Sequence, residues 1–180
     1  EDVVVYPFGV HDIYSTPAIC QNLNRLICAD AQNNKKRWDF NVGDIDALAE
    51  PVISGDKGVE RNWELFKYLF HHDAKLIPTG KNQDGQTVAR YMTADDYISN
   101  SGKWLLENGF HEVELNRKVD TFGNITQVFS TYESYRSKSD AIPFMRGINS
   151  IQLLNDGKRW WIINIYWMQE SEATPIPNTY

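Results

Sequence analysis

Apolar and polar residues alternate along the last third of the chain, whereas the central third repeats with helical spacing. Alternation with a period of two is typical of strands that bury one face. Because no helix separates these strands, the pattern argues against a parallel βαβ sheet and favours an α+β domain. The alternation predicts four long strands, over 111–121, 125–136, 144–154 and 159–168.

Two shorter strands and three helices are predicted upstream of this region. The short strands, at 73–78 and 87–92, flank a polar loop that contains an Asp-Gly turn signal. The most strongly marked helix begins at Thr93 with a capping-box pattern and ends at Gly109. Apolar positions at helical spacing predict the other two helices, at 45–52 and 62–70.

The first 41 residues are interpreted as an extension that carries one amphipathic helix. Thr16-Pro17 is a helix start, and the domain proper is expected over residues 42–172, with a tail at 173–180. The two cysteines are too far apart to pair if their segment is helical, since about 12 Å would separate them along the axis; if it is extended or looped, a disulfide remains open. The apolar face of the helix comprises Ile19, Leu23, Leu26 and Ile27, and the cysteines are Cys20 and Cys28.

Composition and charge narrow the classes of function by exclusion. The chain is 42% apolar and 13% aromatic, which predicts a packed core. Its net charge of −6, without a block of five like charges, argues against nucleic acid and anionic membranes as main partners. The longest apolar run, Trp160–Met168, is half the roughly 18 residues of a membrane span. The chain begins at Glu1 rather than methionine, so a cytoplasmic protein and one exported after loss of a leader both remain open.

The last predicted strand is apolar on both faces. Each large apolar side chain left in water costs about 1.5–3 kcal/mol, so both faces need cover. Helices can cover one face, and the other requires the N-terminal extension, the C-terminal tail or a second subunit. Dimerisation through the outer face of the sheet is the simplest arrangement. Strict alternation places Trp161, Ile163, Ile165 and Trp167 on one face and Trp160, Ile162, Tyr166 and Met168 on the other.

Four short segments carry a resemblance to a known superfamily. They are Asn62–Phe66 (NWELF), His72–Leu76 (HDAKL), Arg146–Leu153 (RGINSIQL) and Trp160–Ile162 (WWI). Together with the order of elements, they make residues 42–170 resemble the NTF2-like superfamily, and within it an uncharacterised branch of the SnoaL-like proteins. The resemblance implies a cone in which a bent, mixed, mostly antiparallel sheet wraps around about three helices. It also implies a pocket at the mouth of the cone, which members such as ketosteroid isomerases, scytalone dehydratase and polyketide cyclases use for catalysis.

Candidate catalytic residues follow from the predicted faces. His111 begins a strand on the apolar side, which the resemblance turns toward the cone, and imidazole suits proton transfer at neutral pH. Glu133 is a second acceptor, and Tyr97 or Tyr132 would donate to a developing oxyanion. The competing interpretation makes His111 a core histidine and the tyrosines core residues with rim hydroxyls. A first-strand base of the ketosteroid isomerase type is not expected, since Pro78 stands at the position that the resemblance gives to the carboxylate.

The sequence also contains candidate ligand-binding and metal-binding residues. Glu133 and Arg146 form a buried pair if they face the cavity, and ordinary rim charges if they face outward. His71-His72-Asp73 is the only local cluster of metal-ligand types in the sequence. Adjacent strand residues point to opposite faces, so neither a metal site nor any other cofactor is predicted. The residues expected to contact a ligand are Trp63, Tyr91, Trp104, Arg146, Asn149 and Trp167.

Three functions remain open at this level. The first is a domain that binds a small hydrophobic or aromatic molecule in the cone. The second is a cofactor-independent isomerase, dehydratase or cyclase of SnoaL type, acting on a hydrophobic carbonyl compound. The third is a structural dimerisation module. A carboxylate or histidine next to a donor in the cavity would favour catalysis, an apolar pocket of roughly 300–1,000 Å³ would favour binding, and a filled cone would favour the structural role.

Overall fold

The computed structural model describes residues 52–180 and the backbone of two short strands, β1 (Ile27–Asp30) and β2 (Lys35–Trp38). These strands pair antiparallel, with Ile27 opposite Trp38. Ile27 therefore lies in a strand and not in the amphipathic helix predicted to include it, because pairing with a later segment supplies its backbone hydrogen bonds. The rest of that helix lies outside the described residues, as do Cys20 and most of the helix predicted at 45–52.

A mixed six-stranded sheet forms the body of the described structure. Its order is β4-β3-β8-β7-β6-β5, in which only β3 and β8 run parallel. The sheet matches the mixed, mostly antiparallel arrangement that the resemblance implied. The strand bounds are β3 Phe70–Lys81, β4 Thr87–Ala89, β5 His111–Phe122, β6 Ile125–Tyr135, β7 Met145–Asn155 and β8 Trp160–Gln169.

Two helices, α1 (Trp63–Leu69) and α2 (Ala94–Asn108), accompany the sheet. Thr93 and Asp96 form the predicted capping box at the start of α2, with the Asp96 amide 3.1 Å from the Thr93 hydroxyl oxygen. Gly109 ends α2 at a φ of 72°, a backbone conformation that favours glycine. Both caps are local, which explains why the sequence alone located this helix. Within the described residues, no helix has the length and apolar character needed to span a membrane.

The core lies on the face of the sheet that packs against the helices. Leu69 of α1 and Ile162 of β8 are fully buried there. Phe66 stacks on Tyr97 of α2 with ring centroids 5.4 Å apart, so that α1, α2 and the sheet share one hydrophobic cluster. Burial of these large side chains is the main contribution to the stability of the domain.

A bulge in β8 changes which of its residues face the core. The register with β7 shifts between Gln152 and Leu153, so that Ile162 and Ile165 both face inward although strict alternation separates them. Ile162 is fully buried, whereas Tyr166 is 45% exposed. The predicted division of β8 into two alternating faces was therefore wrong at its centre. The inward residues are Trp160, Ile162, Ile165 and Trp167.

The faces of β5 are also opposite to the prediction. Glu112 pairs with Ser134 and Glu114 with Tyr132, which places both carboxylates on the inner side of the sheet. Val113 and Leu115, predicted to face inward, are 47% and 49% exposed. Alternation alone predicts polar side chains on the solvent side, because hydrophobic burial dominates most strands. Here the inner side of this edge strand borders a cavity that accommodates polar groups.

The C-terminal residues cover part of the outer sheet face. The ring of Tyr180 packs on the ring of Phe129 with centroids 5.2 Å apart, and the Lys118 ammonium lies 3.8 Å from the centre of the Tyr180 ring. The Ile176 amide donates to a carboxylate oxygen of Glu170 at 2.9 Å, which holds the tail against β8. The C-terminal tail, one of the three segments or partners expected to cover the outer face, therefore covers part of it. Dimerisation through the uncovered part of that face stays a prediction.

Candidate functional site

A cavity of about 230 Å³ lies between α2 and the inner face of the sheet, and we call it the site cavity. Tyr97, Ser101 and Trp104 enter it from one face of α2, because positions four and three residues apart share a helix face. The sheet contributes one polar residue from each of three neighbouring strands, and Trp167 from the fourth. Those polar residues are Glu112 of β5, Tyr132 of β6 and Asn149 of β7.

The segment before α1 closes one side of the site cavity with Ile53. The Arg61 guanidinium holds this segment in place by donating to the carbonyl oxygens of Ile53 at 2.7 Å and Leu105 at 3.0 Å. The Ser54 hydroxyl oxygen accepts a hydrogen bond from the Glu112 amide at 3.0 Å. Because these contacts fix the backbone beside Glu112, the carboxylate projects into the cavity from a defined position.

Glu112 is the chemically distinctive residue of the site cavity. The Asn149 side-chain amide donates to its carboxylate at 3.2 Å. Burial raises the pKa of Glu112 to about 7; Asn149 opposes this shift, and the nearby Glu114 charge adds to it. No Lys or Arg of the described chain forms an ion pair with Glu112. A carboxyl group in this state both accepts and donates a proton near neutral pH.

Glu114, the second inward carboxylate of β5, is held by its own partners. Its Oε1 atom lies 2.7 Å from the Arg117 guanidinium, and its Oε2 accepts a hydrogen bond from the Ser130 hydroxyl at 2.6 Å. Glu114 is also absent from the lining of the site cavity. The two carboxylates therefore differ in role: Glu114 belongs to a closed polar cluster, and Glu112 is available to a bound molecule.

Two tyrosines provide hydroxyl groups around Glu112. Burial raises the pKa values of Tyr97 and Tyr132 well above the ordinary tyrosine value, and the Glu112 charge adds to both shifts. Both hydroxyls therefore stay protonated at neutral pH and can donate to a carbonyl oxygen. Tyr132 lies directly over Gly147, where a Cβ atom would come within 2.5 Å of the tyrosine hydroxyl oxygen. Glycine at this position leaves room for the Tyr132 side chain.

The structure brings together half of the residues predicted for the site. These five line the cavity: Tyr97, Trp104, Tyr132, Asn149 and Trp167. The roles predicted for them remain predictions.

The other five predicted residues do not line the site cavity. His111 is buried against the segment before α1, with Nε2 2.8 Å from Asp56 Oδ1. Glu133 and Arg146 face outward as an ion pair at 3.0 Å, which is the rim alternative left open by the sequence. Trp63 packs edge-on against Phe66, and Tyr91 is 70% exposed. The true sheet faces account for the position of Glu133, because it pairs with the exposed Val113 on the outer side of the sheet.

Sequence reasoning missed Glu112 because this residue alternates with Val113 and Leu115. These two apolar residues indicated that their own face of β5, and not the face of Glu112, points inward. One signal was present: the β6 residues that face inward include small polar ones, Thr126, Ser130 and Ser134. An inner face with this composition accommodates polar partners on the neighbouring strand. The described lining contains a single carboxylate and neither histidine nor cysteine, so it does not provide a set of three metal ligands.

Neither a protein-family model nor a curated protein matches this sequence. Solved structures do match, among them three from Novosphingobium aromaticivorans. An NTF2-like protein with a cystatin-like fold is similar at a TM-score of 0.53 and 15% identity, over 92% of this chain and 96% of that chain. The beta subunit of a protein assigned as an aromatic-ring-hydroxylating dioxygenase is similar at a TM-score of 0.55 and 13% identity, over 75% of this chain and 94% of that chain. A scytalone dehydratase-like protein is similar at a TM-score of 0.52 and 12% identity, over 71% of this chain and 80% of that chain.

These similarities establish that the chain has an NTF2-like fold. The fold expected from the four short segments is thereby confirmed. At identities of 12–15% the likeness concerns the fold alone, because one fold hosts many unrelated activities. Assignment to the SnoaL-like branch stays a prediction.

Proposed function

We propose that this NTF2-like protein catalyses proton transfer on a small carbonyl compound bound in the site cavity, as an isomerase or dehydratase. The observation that carries the proposal is the buried Glu112 carboxyl, held by Asn149 and raised in pKa to about 7. A general base is most efficient when its pKa is close to the working pH. A carboxylate or histidine next to a hydrogen-bond donor in the cavity is the arrangement expected to favour catalysis, and Glu112 with Asn149 fits that description.

The proposed chemistry uses Glu112 as the proton carrier. Its ionised carboxylate removes a proton from the carbon next to the carbonyl; the electron pair of that C–H bond forms a C=C bond, and the π pair of the C=O bond moves onto the carbonyl oxygen. Tyr97 or Tyr132 donates a hydrogen bond to the resulting oxyanion, a contribution often worth about 3–4 kcal/mol in an enclosed site. The protonated Glu112 then returns the proton, to a different carbon in an isomerisation or to a departing hydroxyl group in a dehydration.

The dimensions of the site cavity limit the substrate. Benzene occupies an apolar cavity of about 150 Å³, so 230 Å³ is suited to one ring with one or two substituents. Phe66, Trp104 and Trp167 offer aromatic walls for such a ring. Glu112, Tyr132 and Asn149 are on the sheet side, so the carbonyl group would point toward β5, β6 and β7. The substrate class is therefore a single-ring ketone or hydroxyketone.

Binding without chemistry is the second candidate. The lining is mostly apolar, which by itself is sufficient to hold a hydrophobic ring. In that case Glu112 would act only as a hydrogen-bond partner for one polar group of the ligand. Both candidates use the same cavity, so the experiment must separate ligand binding from proton transfer.

Deuterium exchange provides that separation. Wild-type protein is incubated with cyclic ketones and hydroxyketones in D₂O, and loss of the proton next to the carbonyl is followed by NMR. We expect Glu112→Gln to slow the exchange by about 10²–10⁴, the usual contribution of a general base. Tyr132→Phe should also slow the exchange, since the oxyanion loses a donor. Ligand binding is measured on the same samples by calorimetry.

Two variants serve as controls. Glu133→Gln removes an outward carboxylate from the neighbouring strand, and His111→Ala removes the base that the sequence favoured. Both should retain the exchange activity, with protein stability checked in parallel. Exchange that persists in Glu112→Gln would contradict the proposed base. Ligands that bind without any exchange in wild type would favour the binding candidate.

We also propose that two copies associate through the outer face of the sheet. Support comes from exposed apolar side chains on two strands of that face, Val113 of β5 and Tyr166 and Met168 of β8. Burial of such a surface against an identical copy is favourable at roughly 25 cal/mol per Å².

A further inference from the structure

We infer that His71, His72 and Asp73 form a binding site for a divalent transition-metal ion, separate from the site cavity. One potential ligand atom from each residue lies within 4.8 Å of the other two. None of the three residues lines the site cavity. We call these residues the His-His-Asp cluster.

A bulge at the start of β3 explains how consecutive residues come together. In its pairing with β8, Phe70 lies opposite Ile162 and Lys75 opposite Asn164, so four residues of β3 face a single residue of β8. Side chains in such an irregular stretch no longer alternate between the two faces. The rings of His71 and His72 consequently lie on one side of the chain, with centroids 4.0 Å apart. The sequence argument against a metal site assumed a regular strand and does not apply here.

The distances within the cluster suit tetrahedral coordination. Oδ2 of Asp73 lies 2.9 Å from His72 Nε2 and 3.9 Å from His71 Nδ1. Zinc bonds to nitrogen and oxygen of about 2.0–2.2 Å at tetrahedral angles place neighbouring ligand atoms roughly 3.3 Å apart. These two distances lie on either side of this value, and all three ligand atoms lie within 4.8 Å of one another. The Asp73 backbone amide donates to His71 Nδ1 at 3.3 Å, so the His71 side chain must rotate to release this nitrogen and bring the three atoms onto one ion. Two imidazoles and a carboxylate are ligands that favour Zn²⁺, Cu²⁺ or Ni²⁺ over Mg²⁺ or Ca²⁺.

The surroundings of the cluster leave its carboxylate available. The Arg159 guanidinium lies over the rings of Tyr68 and Trp161, at 3.9 and 3.5 Å, which directs its charge to those residues. Trp161 in turn packs edge-on against His71 at 5.8 Å and supports the imidazole. His72 and Asp73 are each 79% exposed, which gives an ion direct access from solvent. Three protein ligands leave the fourth tetrahedral position for water.

Calorimetry with zinc chloride tests the site, using tag-free protein dialysed against a chelator. We expect one Zn²⁺ to bind per chain at pH 7.5. His72→Ala and Asp73→Asn should each weaken binding by about tenfold or more, since the loss of even an outer-shell partner of a metal ligand costs 10–100-fold. With Cu²⁺ as the probe, nitrogen hyperfine splitting in the electron paramagnetic resonance spectrum should show two imidazole ligands, and His72→Ala should reduce it to one. Binding should weaken at pH 5, because a protonated imidazole has no free lone pair.

Two matched variants control for binding elsewhere. Asp84→Asn removes another exposed carboxylate, in the turn after β3, and His11→Ala removes a histidine of the N-terminal extension. Both should bind Zn²⁺ as wild type does. The inference is overturned if wild type takes up no Zn²⁺ at millimolar concentration. It is also overturned if His72→Ala and Asp73→Asn bind as tightly as the two controls.

Discussion

Asn149 and Glu112 meet across a strand that lies between them. Asn149 is on β7, Glu112 is on β5, and the amide nitrogen of one lies 3.2 Å from the carboxylate oxygen of the other. The β6 residues paired with Asn149 and Glu112 are Ser130 and Ser134, and both have small side chains. This hydrogen bond favours the ionised carboxylate, whereas burial favours the neutral form. The balance between the two places the titration of Glu112 near neutral pH.

The first prediction concerns stability against pH. The pKa of Glu112 is about 7 in the folded protein, against an ordinary value of 4.5, so the folded state binds more protons than the unfolded state between these values. Stability should therefore fall as the pH rises from about 4.5 to 7 and stay level above. We expect a loss of between about 1 and 3 kcal/mol, since one pKa unit corresponds to about 1.4 kcal/mol and solvent at the cavity reduces the effect. Urea unfolding at pH 5, 6, 7 and 8 measures this fall.

Glu112→Gln isolates the contribution of this group. The neutral amide does not titrate, so the stability of the variant relative to wild type should rise between pH 5 and 8. Glu133→Gln, which breaks an outward ion pair with Arg146, should show no such rise. A constant difference between wild type and Glu112→Gln at every pH would contradict the raised pKa.

The second prediction concerns the Asn149 hydrogen bond. Asn149→Ala removes the donor that stabilises the ionised Glu112 carboxylate, so the pKa of Glu112 should rise further above its ordinary range. Carbon NMR of the glutamate carboxyl groups follows the titration directly. If the titration of Glu112 stays where it is in wild type or moves downward, the assignment of Asn149 is incorrect.

The third prediction concerns the space beneath Tyr132. In Gly147→Ala the new methyl group would lie within about 2.5 Å of both the Tyr132 hydroxyl oxygen and the Met168 carbonyl oxygen. We expect a loss of about 1–3 kcal/mol in the free energy of unfolding, as for other overpacked sites, together with weaker ligand binding. Gly80→Ala is the matched control in the same sheet, because no atom lies within 4 Å of its added methyl. Equal stability of the two variants would show that Tyr132 moves aside freely.

The fourth prediction concerns association through the outer sheet face. We expect wild type to have the mass of a dimer in size-exclusion chromatography with light scattering. Val113→Lys and Tyr166→Lys should shift it toward the monomer, because a buried unpaired ammonium is costly. Ile142→Lys changes an equally apolar residue that is 80% exposed in the loop before β7, and it should leave the mass unchanged. A monomeric wild type would refute the proposed association.

Much of the fold could be predicted from the sequence because its signals are local. The capping box at Thr93 and the glycine at 109 fix the ends of α2 through backbone contacts within a few residues. The four long strands were located to within one or two residues, because alternation over about ten residues is hard to produce by chance. The NTF2-like fold followed from the order of these elements and the four short segments.

Only the tertiary structure determines which side chains of each strand face the core. A bulge arises from the register between two strands, and that register depends on residues far apart in the chain. Bulges in β3 and β8 therefore changed faces that alternation alone predicts. They placed Ile165 with Ile162 on the inner face and brought His71 and His72 to one side. In β5 the alternation around Glu112 and Val113 is unbroken, and only the packing of the sheet decided which of the two faces is the inner one. The sequence by itself determined which elements form, because helix caps and strand periodicity act over short distances; the tertiary structure determined the site, because its residues meet only when the strands pair.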